Sequence, residues 1–78
     1  MTYILWNGVY KGKVGGAFWD LFLVSAHQGY GKCYLIDATS VAEAKLKLSL
    51  VQATTFANVF VYGSDAILAL TSQKGKVI

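Results

Sequence analysis

The rarest reactive side chains of this 78-residue chain are one histidine, one cysteine and four carboxylates. Nucleophilic attack by Cys33 requires a positioned base, and His27 is the only imidazole. If Gln28 to Gly31 close a four-residue loop between two strands, Ala26 faces Cys33 and His27 faces Lys32. Thiol and imidazole are then neighbours, but no third group stands ready to orient them. His27 is therefore expected to be an exposed turn residue and Cys33 a small buried hydrophobe. One cysteine and one histidine cannot fill a structural zinc site. No catalysis, no metal and no cofactor are expected.

Asp20 is the unusual carboxylate, embedded in Phe18-Trp19-Asp20-Leu21-Phe22. Its bland reading is an outward residue near a sheet edge. Its functional reading is a hydrogen-bonding group within a binding surface, with Lys11 or a tyrosine hydroxyl as partner. Asp37 precedes a helical segment and is expected to favour its N-terminus. The run Gly12-Lys13-Val14-Gly15-Gly16 lacks the Gly-Lys-Ser/Thr that enters a helix in a phosphate-binding P-loop. Lys13 to Phe18 only faintly follow a basic-glycine-aromatic RNA-binding strand, and the β-α-β-β-α-β order around such a strand is missing.

Binding chemistry is better represented. The chain holds two Trp, five Tyr and four Phe, and every basic residue is lysine. Arginine, which supplies the bidentate fork to guanine and phosphate, is absent. A net charge of +3 therefore supports at most weak, sequence-blind attraction to nucleic acid. Tyr10 and Tyr30 stand beside or near Lys11, Lys13 and Lys32, where turns and strand ends form a contact surface. Tyrosine is enriched at protein interfaces, and lysine–aromatic interleaving also suits single-stranded nucleic acid.

The elements that position these residues can be read from periodicity and turns. Asn7-Gly8 between apolar residues is a hairpin cue, and Gly15-Gly16 is a second one. The two lie too close for both to flank long strands, so Asn7-Gly8 is read as a bulge in one long strand. A turn at Gly15-Gly16 would set Lys11 against Asp20, Gly12 against Trp19 and Val9 against Phe22. Ala17 to His27 is apolar on both faces and reads as a central strand. Lys32 to Ala38 returns as the next.

Ala42 to Leu50 alternates like a strand but is built of helix formers, and it opens with the capping box Ser40-Val41-Ala42-Glu43. Helix is the expectation from about Val41 to Ala53. On it, Ala44, Leu48 and Val51 form one apolar seam, and Ala42, Leu46, Leu50 and Ala53 another. Phe56 to Tyr62 reads as a strand, and Ala66 to Thr71 as a short strand or helix.

The expected fold is one α+β domain over residues 1–78: a twisted antiparallel sheet of four to five strands, ordered β-β-β-α-β plus a short C-terminal strand or helix. One helix packs on one face. With 55% hydrophobic and 14% charged residues and mean hydropathy +0.47, so thin a domain is expected to meet another chain. Apolar runs such as Leu21 to Val24 fall far short of the ~20 residues of a membrane span. Met1-Thr2-Tyr3 lacks a signal-peptide start, and an unpaired cysteine suits the cytoplasm.

The functional expectation is a small non-catalytic protein-interaction module that occupies a surface of a larger partner. Short, self-contained, motif-free chains of this kind are common among inhibitors encoded by viruses and mobile elements. Weak nucleic-acid binding and a purely structural homo-oligomer are the alternatives. The expected contact residues are Tyr10, Lys11, Lys13, Asp20, Tyr30, Lys32, Leu46 and Leu50. A protein partner and a homodimer or higher oligomer are both anticipated.

Overall fold

The computed structural model describes residues 1–53 and 58–73. The fold is α+β: a mostly antiparallel, open five-stranded sheet with three α-helices. The chain runs β1 (Thr2–Trp6), β2 (Val9–Lys13), α1 (Trp19–His27), β3 (Cys33–Asp37), α2 (Val41–Leu46) with a 3-10 turn at Lys47–Leu50, β4 (Gln52–Ala53), β5 (Val59–Tyr62) and α3 (Ser64–Gln73). The sheet order is β2-β1-β3-β5-β4, and only the β3–β5 pair is parallel. Phe56, expected in the β5 strand, lies outside the described residues, as do Lys74 and Lys76.

Asn7-Gly8 is the hairpin turn between β1 and β2, not a bulge. Both residues take positive φ, 53° and 87°, the conformation of a two-residue turn whose twist matches that of the strands. The bulge falls instead at Lys11: Ile4 pairs with Gly12 and Leu5 with Tyr10, leaving Lys11 as the extra residue. Gly15-Gly16 closes no hairpin. It lies in a turn before α1, so the anticipated facing of Lys11 with Asp20, and of Gly12 with Trp19, does not form.

The largest correction is Ala17 to His27, expected as a central strand. Residues Trp19 to His27 are a helix, and its buried side chains Trp19, Leu23 and Ala26 recur at helical spacing. Phe22 packs partly against the same cluster. The aromatic composition suggested a strand buried on both faces. The spacing i, i+3, i+4, i+7 is what the sheet reads. The helix ends in a Schellman motif, with the Tyr30 N–H donating to the Ser25 carbonyl at 2.9 Å and the Gly29 N–H to Ala26 at 3.0 Å.

Helices cover both faces of the sheet, where one was expected. One core holds Ile4, Cys33, Leu35, Val59 and Val61 from the strands against Trp19, Leu23 and Ala26 of α1 and Ala66 and Leu70 of α3. The other holds Tyr3, Leu5 and Ile36 against Ala44, with Leu48 and Val51 packed around it. The expected α2 is shorter than predicted. Val51 is extended (ψ 150°), and Gln52 and Ala53 join β5 instead of continuing the helix. The C-terminal segment settles as helix α3.

Asp37 ties β3 to α3, not to the helix that follows it. Its Oδ2 accepts the Asp65 N–H at 2.8 Å, and its Oδ1 accepts the Thr2 hydroxyl at 2.7 Å. Gly63 (φ +96°) makes this approach possible, since a Cβ there would collide with the Asp37 carboxylate.

Candidate functional site

The bulge at Lys11 and the first turns of α1 build an open groove at the β2 edge of the sheet. Its volume is ≈ 360 Å³, and it is lined by Tyr10, Lys11, Phe18, Leu21 and Phe22. The lining is apolar because α1 keeps Trp19 and Leu23 for the core and turns Phe18 and Leu21 outward, 53% and 57% exposed. An aromatic series runs from the core to this rim. Trp6 and Phe22 rings lie 5.1 Å apart, and Phe22 and Phe18 6.0 Å apart. Val9, on the neighbouring β2 position, is also exposed.

The β2 edge itself is guarded against adding a strand. A bulge, exposed Lys11 and Lys13, and Gly12 at φ +140° break the row of backbone groups, the devices by which edge strands avoid pairing. The groove therefore offers side-chain contact rather than strand addition.

Among the anticipated contact residues, Tyr10 and Lys11 meet in this groove. Lys13 lies at the other end of β2 with its ammonium 5.9 Å from the Tyr3 ring centroid. Asp20 is exposed in the first turn of α1, where a carboxylate complements the helix dipole. Tyr30 and Lys32 are exposed in the turn after α1, and Lys32 exchanges hydrogen bonds with Asn7: its N–H to Asn7 Oδ1 at 3.0 Å, its carbonyl from the Asn7 N–H at 2.9 Å. Neither lines the groove. Phe18, Leu21 and Phe22 were missed. Their signal was the helical spacing of Trp19, Leu23 and Ala26, which leaves these three on the flanks.

Leu50 stands beside the opposite edge of the sheet, and Leu46 precedes it by one helical turn on the same seam. The two seams hold on the helical part of this segment, where Ala44 is buried and Leu48 half-buried while Ala42, Leu46 and Leu50 are exposed; Val51 and Ala53, expected on the same seams, lie beyond the helix in extended chain and β4. Leu46 is 80% exposed and Leu50 58%. Leu50 also walls a second groove, ≈ 380 Å³, with Gln52, Val61, Tyr62, Gly63, Ser64 and Ile67.

The charged network near it is internally satisfied. Lys47 pairs with Glu43 at 2.8 Å, donates to the Asp37 carbonyl at 3.0 Å, and lies 4.9 Å from the Tyr62 ring centroid. The Lys47 ammonium and the Thr39 hydroxyl and N–H hold the Glu43 carboxyl down at about 2. The capping box is only half as expected: Ser40 Oγ accepts the Glu43 N–H at 3.1 Å, but the Glu43 carboxylate reaches back to Thr39.

His27 ends α1, where burial lowers its pKa, and Cys33 opens β3 inside the core, where burial pushes its thiol up to about 12. The hairpin that would have set them side by side does not form. Among the described residues, no three His, Cys, Asp or Glu side chains gather as a metal site, and no helix is long and apolar enough to cross a membrane. No family model, curated protein or solved structure matches the chain.

Proposed function

We propose that this chain is a small non-catalytic protein-interaction module that occupies a surface of a larger protein, in the manner of an inhibitor, through the groove at the β2 edge. The observation that carries the reading is the exposure of Phe18 and Leu21 beside Tyr10 and Lys11. Phe18 and Leu21, both more than half in water beside Tyr10, give an exposed apolar patch of the aromatic kind that interface cores favour, with Lys11 in the place of a polar rim. Burying the exposed half of each of these side chains against a partner is worth roughly 1 kcal/mol before the costs of association. Lys11 favours a partner whose rim is acidic.

The test is affinity capture from the native host with nuclease treatment, using the parent and a Leu21→Lys variant. The proposal expects one protein at near-stoichiometric yield with the parent and its loss with the variant. Circular dichroism of the two should be the same. A protein recovered equally by both places its contact elsewhere and contradicts the groove.

One observation favours the alternative of weak nucleic-acid binding. Tyr34 and Phe60, on the adjacent strands β3 and β5, stack at 5.2 Å and are half-buried, and sheet-borne aromatics are a platform for bases. The exposed lysines are dispersed over β2, the turn before β3 and α2, which gives the phosphate backbone no continuous track.

A further inference from the structure

We infer that the face formed by α2, the β4 edge and the start of α3 is a self-complementary surface that takes a second copy of this chain, Leu46 of each copy entering the groove of the other. The face carries both a knob and a hole. Leu46 projects 80% exposed, and the ≈ 380 Å³ groove lies alongside, between Leu50 and Ile67 with Val61 and Tyr62 among its lining. A patch that contains its own complement suits an isologous two-fold contact.

Charge selects this occupant. The chain carries +3, so two copies repel unless the meeting surfaces are balanced. On this face Lys47 is paired with Glu43, and the Asp37 carboxylate is taken by Thr2 and the Asp65 N–H. Lys45 and Asp65 remain exposed, one of each sign. Leu46 seated against Gly63 and Ser64 carries its neighbour Lys45 towards Asp65 of the other copy. At the β2 edge, Lys11 and Lys13 are exposed and Asp20 is the exposed carboxylate of the adjoining helix turn, a balance that disfavours a like-charged copy.

Area sets the extent. A stable interface takes about 800 Å² from each partner, close to a fifth of the 4476 Å² surface of the monomer. Residues of α2 alone fall short of that, so the contact must continue over the β4 edge to Ile67. The interaction lies on the edge opposite the β2 groove and goes beyond the function proposed above.

Sedimentation equilibrium of the full chain across a concentration series tests it. A dimer is expected. Leu46→Lys should dissociate it with the circular dichroism spectrum unchanged. Lys45→Asp and Asp65→Lys should each raise the dissociation constant by roughly fivefold or more, and together should restore it to within about twofold of the parent. A monomeric parent at millimolar concentration, a Leu46→Lys dimer of parental affinity, or a double swap no tighter than either single change would each overturn the inference. None of these results touches capture through the β2 groove, which is read by Leu21→Lys.

Discussion

Cys33 shows how completely a residue's chemistry is set by its place. It has no exposed surface, and burial raises its thiol from the ordinary 9.0 to about 12. Since the thiolate is the reactive form, a disulfide reagent at pH 8 should label the native protein roughly 100-fold or more slowly than the urea-unfolded chain, at a rate that follows opening of the fold. The same shift raises the folded pKa above the unfolded one. The stability it contributes is present below pH 9 and is lost as pH rises towards 12. Glu43 has the opposite sign: its carboxyl is held near 2, chiefly by Lys47 and then Thr39. Its contribution is present above about pH 4.5 and is lost as pH falls through 2. Amide shifts of Thr39 and Glu43 in an acid titration should move in that window; movement centred at an ordinary carboxylate pKa would refute the assignment. Trp19 is a third case, since its indole N–H is buried and has no acceptor among the described residues. Trp19→Phe removes that unsatisfied donor, so the loss should be about 1 kcal/mol or less in urea unfolding, against the 3–5 kcal/mol usual for truncating a core aromatic.

The elements divide cleanly into those legible in the sequence and those that were not. The α+β class, the sheet of up to five strands, the helix start at Ser40 and the two seams of α2 all follow from local signals. A capping side chain and a run of helix formers act within a few residues, and so does the spacing that sets Leu48 inward and Leu46 outward. Residues Ala17 to His27 were misread because aromatic content argued for strand while the decisive fact, which neighbours the side chains meet, is tertiary. With α1 misplaced, the groove of Phe18, Leu21 and Phe22 could not be foreseen, although its other wall, Tyr10 and Lys11, was. The second groove depends on the pairing of Gln52 and Ala53 with β5, a nearby antiparallel contact that the preceding run of helix formers conceals. Two predictions belong to this scale. Leu48→Lys inserts a charge into the α2 core and should cost roughly 1.5–3 kcal/mol, whereas Leu46→Lys should leave the unfolding midpoint within about 0.5 kcal/mol when measured at a concentration where the chain is monomeric. Gly63→Ala should destabilise by about 2 kcal/mol, because the added methyl meets the Asp37 carboxylate and φ +96° strains any L side chain. Chemical denaturation of the three variants reads both.

At the scale of the whole molecule, the sheet separates two apolar edges of different electrostatic character. The β2 edge joins Phe18 and Leu21 to exposed Lys11 and Lys13, and the β4 edge joins Leu46 and Leu50 to a balanced pair of charges. A chain so arranged can hold a second copy at one edge and present a groove at the other, with its histidine and cysteine committed to a helix end and the core. Nucleic acid is the competing partner, and salt discriminates. Attraction through dispersed lysines should be sequence-blind and fall steeply with ionic strength, as counterions are released at each contact. In fluorescence anisotropy with labelled single- and double-stranded DNA and RNA, binding should therefore be negligible at physiological salt. The central claim, that the β2 groove contacts protein, is tested most directly by photo-crosslinking in the native host. A benzophenone side chain replaces Phe18 at the groove rim in one strain, and Thr71 on the exposed side of α3 in another. The account predicts a discrete, nuclease-resistant protein adduct from position 18, larger than a dimer of the chain, and none from position 71. No adduct from position 18, or the same adduct from both positions, would contradict it.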